Sequence, residues 1–507
     1  MSSLFRIAAA VAAFACAATA SRAQAMNYPE HYAYDPAYNG GAVLDDSFDA
    51  AGPHIGQKAA QLADGSVVVV GLATASGQAS ANNLGLVHYS ATGARIAWSD
   101  PTPAYASYYN MYLTYPNGQF TAAYSRIDDV KVLGHFIYVL SDNGTSASAA
   151  RYPTIDVFSD SGQRIIGYSP FGFFNGDIEG AGLAINSYTI NFGGSNVTFT
   201  NLAVAANDNT GTASQPDYVV VMHLYPLNAD GTLGTAYTSF GTNGTATFDL
   251  SGYCSGTTIC SGPAAGVAAV RTDTNKPTYY VYGTLTSGNA SDLPSGFIQA
   301  VDVEGEDVGL QWIPMDTAGD RAFGLVAVGN ALGDTLYFGM GSALSSEGCL
   351  AYGSTIRKIH NGQITWYGTY GCDPQSGLAI VGKSLVSDGT RLMIAGYAHY
   401  ITFSGSPTYY PGIATISQTN GEVLDVQMLP WMRADGTTWS GTADGRTLDH
   451  TSDFESVVPV AAGKFVVAGT LCDHLHGTDN SIDSTCRAFG TTQLVSDAIF
   501  MDGFDGD

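Results

Sequence analysis

Val67–Gly71 read Val-Val-Val-Val-Gly, and this run decides the fold because it is apolar at consecutive positions. A strand with one face in water alternates apolar and polar residues, whereas a run of this kind needs cover on both faces. Six further runs of the same kind follow it, with starts roughly 66 residues apart on average. They are Phe136–Leu140, Leu202–Ala206, Tyr279–Gly283, Leu336–Met340, Leu392–Gly396 and Phe465–Gly469.

Each run belongs to a unit of four predicted strands. An apolar stretch closed by a turn precedes the run, as Ala59–Leu62 does before Asp64-Gly65. A third strand follows it, as at Leu84–Tyr89, and a tight turn such as Asn361-Gly362 leads to a fourth. Asn-Gly and Asp-Gly between apolar runs are typical hairpin turns. Four antiparallel strands repeated seven times predict an all-β, seven-bladed β-propeller, in which each blade is sandwiched between two neighbours.

The competing fold is an outer-membrane β-barrel, which is also acidic, rich in tyrosine and built from antiparallel strands. Barrel strands alternate lipid-facing apolar residues with lumen-facing polar residues over about ten positions. The runs in this chain are shorter and do not alternate. We therefore favour the propeller.

Two parts of the chain resemble the delta-sixty repeat proteins of bacteria. In the first unit the resemblance lies in Gln61–Gly71 and Leu86–Gly93, together with Leu44–Phe48 upstream. In the third unit it lies in Asn228–Leu233 and Ser239–Gly244. That family is generally regarded as propeller-like and has no established common activity. The resemblance therefore implies a fold and no particular chemistry.

The N-terminus has the features of a secretory signal peptide. Arg6 precedes an apolar run from Ile7 to Ala20, and Ala23-Gln24-Ala25 has the small-x-small form that signal peptidase cleaves after. No later segment approaches the roughly 20 consecutive apolar residues that a membrane helix needs. We predict an exported chain, secreted or periplasmic in a Gram-negative bacterium, without a membrane span. The predicted division is a signal peptide at 1–25, an N-terminal extension at 26–54 that is a candidate for closing the ring, the propeller at 55–496 and a tail at 497–507.

Charge and cysteine content agree with that interpretation. The formal net charge is −25 and the chain has six lysines, which argues against nucleic acid or anionic lipid as partners because both require clustered Lys and Arg. Six cysteines fall outside the signal peptide, in the close pairs Cys254 with Cys260, Cys349 with Cys372, and Cys472 with Cys486. In an exported chain such pairs predict three short-loop disulfides. The alternative is a metal site, but no C-x-x-C is present.

Three segments have the residue types of a metal or phosphate site. Between Cys472 and Cys486, a cluster of two imidazoles and several carboxylates could coordinate a metal, although a solvated polar loop is the simpler interpretation. Its members are Asp473, His474, His476 and Asp479, with Asp483 nearby. The acidic segment from Asp435 to Asp453 lacks calcium-loop spacing, so we interpret it as an inter-blade loop. Gly377–Ser384 matches the phosphate-loop pattern but aligns with a first strand, which makes the match a coincidence. We predict no cofactor, with calcium as the candidate to test.

Ligand-binding candidates come from two features of a propeller. The start of each innermost strand faces the axial channel, which is the default pocket of this architecture. Charged residues near those starts are Lys58, Asp128, Glu179, Arg321 and Glu455. Tyrosines crowd the connection between the first two units, and a tyrosine ring suits sugars or protein surfaces. They include Tyr108, Tyr109 and Tyr112.

These features favour one function and leave a second open. The chain has no G-x-S-x-G and no H-E-x-x-H. We predict an exported, non-enzymatic propeller that binds a carbohydrate or a protein at the cell envelope or outside the cell. The alternative is an exported glycan hydrolase or lyase that uses channel-mouth carboxylates. Two carboxyls about 5 to 10 Å apart in a deep axial pocket would favour the enzyme, and a channel filled by apolar side chains would disfavour it.

Overall fold

The computed structural model describes most of the chain outside its two ends. The described residues are 28–46, 54–73, 83–98, 108–109, 111–115, 118–144, 152–171, 177–211, 217–250, 260–270, 277–287, 295–314, 321–329, 334–342, 353–370, 372–373, 378–400, 409–436, 442–443, 446–447, 453–472 and 486–496. They form 35 strands and one short 3-10 turn, Asn39–Gly41. Among them there is no helix with the length and apolarity that crossing a bilayer requires.

The strands form seven separate antiparallel sheets of four or five strands each, which are the predicted blades. Two strands, β1 (Tyr32–Tyr34) and β2 (Leu44–Asp46), precede the first blade. Blade one contains β3 (Ile55–Gln61), β4 (Val67–Ala73), β5 (Asn83–Tyr89), β6 (Arg95–Ile96) and β7 (Tyr108–Tyr109). Blade two contains β8 (Met111–Tyr115), β9 (Gly118–Leu133), β10 (Phe136–Gly144), β11 (Tyr152–Ser159) and β12 (Arg164–Tyr168). Blade three contains β13 (Asp177–Phe192), β14 (Ser195–Asn209), β15 (Tyr218–Pro226) and β16 (Ala246–Phe248).

The strands of the remaining blades follow in chain order. Blades four and five contain β17 (Cys260–Ser261), β18 (Ala264–Ala269), β19 (Tyr279–Ser287), β20 (Ser295–Val301) and β21 (Asp307–Pro314); and β22 (Arg321–Val328), β23 (Thr335–Ser342), β24 (Gly353–His360) and β25 (Gln363–Tyr370). Blades six and seven contain β26 (Cys372–Asp373), β27 (Leu378–Ser387), β28 (Arg391–Tyr400), β29 (Tyr409–Ser417) and β30 (Val423–Met428); and β33 (Phe454–Ala461), β34 (Lys464–Cys472) and β35 (Cys486–Ser496). A two-stranded hairpin, β31 (Thr442–Ala443) and β32 (Arg446–Thr447), lies between these two blades in the chain.

The apolar runs of the sequence form the second strand of every blade, as predicted. In β4, Val68 and Val70 pack into a cluster shared with blade two, while Val67 and Val69 pack into a cluster shared with blade seven. All four are at most 1 % exposed. Alternate residues of one strand therefore fill the two inter-blade cores on either side of it, which is why the run is apolar at consecutive positions. The prediction of an all-β, seven-bladed propeller is confirmed.

The N-terminal segment completes blade seven. Both β1 and β2 pair antiparallel with β35, so the outer strands of the last blade come from the beginning of the chain. Glu30 accepts two hydrogen bonds from the guanidinium of Arg391 in blade six, at 2.8 Å from Nε and 2.7 Å from Nη2. Lys464 in blade seven pairs with Asp35 at 3.0 Å. The ring is thus joined by hydrogen bonds and ion pairs between segments from opposite ends of the sequence.

The seven innermost strands are β3, β9, β13, β18, β22, β27 and β33, and each contacts the next around the ring. Side chains of one strand bond the backbone of its neighbour: Ser456 Oγ accepts from the Ala59 amide at 3.1 Å, and Asp129 Oδ2 accepts from the Leu183 amide at 2.9 Å. One detail of the sixth unit corrects the sequence interpretation. We expected the apolar stretch Leu378–Val381 to be closed by a turn at Gly382, but it is the beginning of β27, which continues to Ser387.

Candidate functional site

Every innermost strand contains a β-bulge close to the end of the apolar run. In six blades the bulge residue directly follows the residue that opposes the end of the run. In blade two it directly precedes that residue, because Asp129 opposes Leu140. The residues left unpaired in the hairpin register are Gln57, Asp128, Ala181, Ala265, Phe323, Lys383 and Glu455. A bulge inserts one residue opposite none, bends the strand and redirects a side chain. Five of these residues line the axial cavity, namely Asp128, Ala181, Ala265, Phe323 and Lys383.

Glycine at the end of the apolar run allows this geometry. In blade seven, a Cβ on Gly469 would lie well under 3.0 Å from the carbonyl oxygen of Asp453. Gly71, Gly283 and Gly396 stand in the same relation to the first strands of blades one, four and six. Any side chain there would collide with backbone, so glycine is required for the close approach. In these four blades glycine therefore accommodates the bulged strand, whereas blades three and five form the bulge with Ala206 and Met340 at the end of the run.

The axial cavity has a volume of about 350 Å³ and receives residues from all seven innermost strands. One side of the cavity is charged. Blade six contributes Lys383, blade one contributes Lys58, and blade two contributes Asp128, Asp129 and Lys131. The opposite side, from blades four and five, presents Ala265, Phe323 and, from a second strand, Tyr282. The cavity is thus amphipathic, and its apolar side chains leave it open rather than filled.

Lys383 organises the first charged cluster. Its Nζ lies 2.5 Å from Oδ2 of Asp453 and 2.5 Å from Oε1 of Glu455. Because both oxygens contact the same Nζ atom, the distance between them is at most about 5 Å. The three side chains come from neighbouring strands, Lys383 from the bulge of β27 and Glu455 from the bulge of β33.

Burial and the ammonium of Lys383 have opposite effects on the pKa values of the two acids. The net shift is upward for Asp453 and downward for Glu455. Burial raises the pKa of Asp453 to about 6 although Lys383 favours its ionised form, and nearby Glu455 adds to the rise. Burial also acts to raise the pKa of Glu455, but Lys383 outweighs it and the net pKa lies below the ordinary value. At neutral pH Glu455 is the ionised partner, and Asp453 is the group that takes up a proton as the pH falls.

Arg126 organises the second cluster, across β9 and β13. Its guanidinium pairs with Asp128, with Asp142 Oδ2 at 2.7 Å and with Glu179 Oε2 at 3.5 Å. Its Nη2 also donates to the carbonyl oxygen of Gly180 at 3.0 Å. Burial raises the pKa of Asp128 well above its usual range despite the adjacent guanidinium, and burial raises the pKa of Asp142 as well. One cation is thus shared by three acids, and burial shifts two of them, Asp128 and Asp142, toward their neutral forms.

Three of the six lysines of this acidic chain line the cavity: Lys58, Lys131 and Lys383. Lys131 Nζ is paired with Asp129 Oδ1 at 2.8 Å, and Lys383 is paired with two carboxyls. Lys58 has neither an ion pair nor a hydrogen bond among the described residues. Scarce positive charge is therefore concentrated at the axis, and one lysine there has no described partner.

The structure brings some of the predicted site residues to the axial cavity or to its charged clusters and places others elsewhere. Lys58 and Asp128 line the cavity, Glu179 belongs to the Arg126 cluster and Glu455 to the Lys383 cluster. Arg321 is the exposed first residue of β22. The tyrosine candidates lie in described strands: Tyr108 and Tyr109 form β7, which pairs with β5, and Tyr112 lies in β8.

The metal and disulfide predictions fall mostly outside the described residues. Asp473, His474, His476 and Asp479 lie there, as do Cys254 and Cys349. Within the described part of the chain, no three His, Cys, Asp or Glu side chains are grouped to hold a metal ion. Cys260 and Cys372 lie in β17 and β26, and Cys472 and Cys486 oppose each other in the register of β34 and β35. The three disulfides stay predictions.

Sequence reasoning missed Arg126 and Asp142, and it assigned Lys383 and Asp453 to other motifs. Lys383 was the lysine of the coincidental phosphate-loop match, and that segment is strand β27. Asp453 ended the acidic loop segment considered for calcium, and its carboxylate binds Lys383. Both bulge residues of this cluster, Lys383 and Glu455, could have been found from the hairpin register, because each directly follows the residue that opposes the glycine of its apolar run. Gly396 opposes Gly382, and Gly469 opposes Phe454, each one residue before a bulge.

No family model matches the chain and no curated protein matches it. Several solved structures resemble it distantly. A protein of unknown function from Dyadobacter fermentans is 9% identical over 90% of this chain and 98% of that one, with a TM-score of 0.38. Glycoside hydrolase family 32 from Bifidobacterium adolescentis is 11% identical over 90% and 80%, with a TM-score of 0.32. Trypanosoma rangeli sialidase in complex with sialic acid is 9% identical over 76% and 56%, with a TM-score of 0.32. Likenesses at this level carry no conclusion about activity, and the delta-sixty resemblance stays a prediction.

Proposed function

We propose that this protein is an exported propeller that binds a carbohydrate in its axial cavity. The observation that carries the proposal is the amphipathic lining, with charged groups on one side and Phe323 and Tyr282 on the other. Sugars present hydroxyl groups at their edges and C–H groups on their faces, so they need hydrogen-bonding partners and an apolar or aromatic surface together. The cavity volume of about 350 Å³ lies within the usual range of small-ligand sites, roughly 300 to 1,000 Å³.

Charge supports a sugar over other ligand classes. The formal net charge of −25 disfavours nucleic acid and anionic membranes. At the axis, however, the basic side chains of Lys58, Lys131, Lys383 and Arg126 lie among the carboxyl groups, so hydrogen-bond donors and acceptors are both present around the cavity. Such a surface suits a ligand that both donates and accepts hydrogen bonds, as a polyhydroxylated ligand does. Export rests on the predicted signal peptide.

The test is binding of glycans by the chain without residues 1–25, on an array and then by titration calorimetry. The variant Ala265→Trp fills the cavity from an exposed position on its apolar side, so the fold should tolerate it. We expect it to weaken binding at least about tenfold. The control Ala462→Trp alters an exposed turn residue and should leave binding unchanged. Absence of any glycan binding by the parent protein, or undiminished binding by Ala265→Trp, would overturn the proposal.

A second candidate function is cleavage of the bound glycan, and the Lys383 cluster favours it. Two carboxyls within 5 Å of each other, one with its pKa raised to about 6 and one with its pKa lowered, have the properties of a general acid and its ionised partner. Retaining glycosidases hold two carboxyls about 5 Å apart. Here, however, the ammonium of Lys383 bonds both carboxyls, so a substrate would have to displace it. Binding is therefore the primary proposal.

Cleavage has a separate test. Each glycan that binds is incubated with the protein, and the products are identified by mass spectrometry. If the cluster is catalytic, Asp453→Asn and Glu455→Gln each abolish product formation while binding persists. If bound glycans stay intact, or if both variants cleave them at the parent rate, the enzyme hypothesis is wrong and the binding proposal is unaffected.

A further inference from the structure

Lys58 differs from the other lysines of the cavity in having no counter-charge bonded to it among the residues that the structure describes. It is half-buried, it follows the bulge residue Gln57 in β3, and it lines the cavity. The carboxylate of Asp129 is bonded to Lys131 and to the amide of Leu183. A half-buried ammonium without a bonded anion has lost part of its hydration without full compensation.

Within the described ranges, the two acids whose ionisation Lys58 affects are already bound to other cations. They are Asp128 and Glu455, on the innermost strands to either side of β3, and Lys58 favours the ionised form of each. Asp128 is paired with Arg126, and Glu455 Oε1 is paired with Lys383 at 2.5 Å. The side chain of Gln57, next to Lys58, is also engaged, because its Oε1 accepts from the Ile127 amide at 2.9 Å. The described groups around Lys58 therefore leave its ammonium able to receive an anion from outside.

We infer that Lys58 binds an anionic substituent of the ligand, so that the cavity is selective for acidic sugars bearing a carboxylate or a sulfate. This inference rests on the proposed function, since it names the class of carbohydrate that the cavity takes. An anion at Lys58 restores the compensation that the protein does not supply, through a charge-assisted hydrogen bond. The sugar ring would then extend toward Phe323 and Tyr282 on the apolar side.

The experiment uses an array on which each acidic glycan is printed beside its own neutral form. Uronate-bearing glycans are paired with their carboxyl-reduced forms, and sulfated glycans with their desulfated forms, so sugar stereochemistry is constant within a pair. We expect the chain without residues 1–25 to bind the acidic member about tenfold more tightly, as one charge-assisted hydrogen bond provides. The two sets of pairs distinguish carboxylate from sulfate as the anion that is recognised.

The variant Lys58→Gln keeps a polar side chain of similar reach and removes the charge. We expect it to reduce the preference to less than about threefold while binding of the neutral members persists. The control Lys358→Gln removes a half-buried lysine from β24 in blade five, and the preference should remain. Equal binding of acidic and neutral members by the parent protein, or an unchanged preference in Lys58→Gln, would overturn this inference alone. Failure to bind any glycan would overturn the proposed function as well.

Discussion

The protonation of Asp453 predicts a pH dependence of stability that one substitution should remove. Asp453 has an ordinary pKa of 3.8 in the unfolded chain, and burial raises it to about 6 in the folded protein. Between these values the folded protein holds a proton that the unfolded chain has released. The free energy of unfolding must then fall as the pH rises through this window, which is opposite to the usual behaviour of an ion-paired acid.

The magnitude follows from the width of the window. One pKa unit corresponds to about 1.4 kcal/mol, so the full shift represents about 3 kcal/mol. The side chain of Asp453 is 13% exposed, which limits screening by solvent. Over the accessible range from about pH 4.5 to 7.5, about 2 kcal/mol of this remains. The lowered pKa of Glu455 makes its opposite contribution mainly below that range.

Asp453→Asn isolates this contribution because the amide stays neutral at every pH. Urea unfolding of the parent protein and of the variant is measured at several pH values, and the two free energies are subtracted. We expect the parent to lose about 2 kcal/mol relative to Asp453→Asn between pH 4.5 and 7.5. Asp45→Asn alters an exposed acid of β2 and serves as the control. Parallel pH profiles of the parent and Asp453→Asn, or a parent that gains relative stability as the pH rises, would refute the reasoning.

Three other predictions concern the elements that position the site. Gly469→Ala would place a Cβ well under 3.0 Å from a backbone oxygen, so we expect the free energy of unfolding to fall by more than about 3 kcal/mol. An unchanged melting temperature would contradict this. Glu30→Gln removes the bidentate pair with Arg391 and should lower the unfolding free energy by about 1 to 3 kcal/mol. Equal stability of the variant and the parent would show that this ion pair does not stabilise the closed ring. Because Cys472 and Cys486 oppose each other, mass spectrometry of the unreduced protein should find them linked, and Cys472→Ser should cost about 2 to 4 kcal/mol; free thiols at both positions would exclude the bridge.

The fold was predictable because its deciding interaction is local in sequence. Four consecutive valines can be buried only if both faces of one strand are covered, and the structure places Val67 and Val69 on one side and Val68 and Val70 on the other. Seven such runs specify seven blades, and the hairpin turns specify strand order. No contact between blades needs to be known for this inference.

The site was less predictable because its partners are distant in sequence. Lys383 and Glu455 lie 72 residues apart and meet because blades six and seven are neighbours. Arg126 and Glu179 likewise meet across two blades. Sequence reasoning found single charged residues near the starts of innermost strands, but it had no means of pairing them, since the pairing depends on register between blades.

A single local feature nevertheless connects the fold to the site. In four blades a glycine at the end of the apolar run allows a close approach of the innermost strand, and that strand bulges at the next residue. The bulge interrupts the alternation of side chains and redirects the residue at that position, and five of the seven bulge residues line the axial cavity. Lys383 and Glu455 occupy this position in two adjacent blades, whereas Ala265 and Phe323 occupy it in two adjacent blades elsewhere in the ring. The repeat therefore supplies seven equivalent positions near the axis, and the residues placed there determine which side of the cavity is charged and which is apolar.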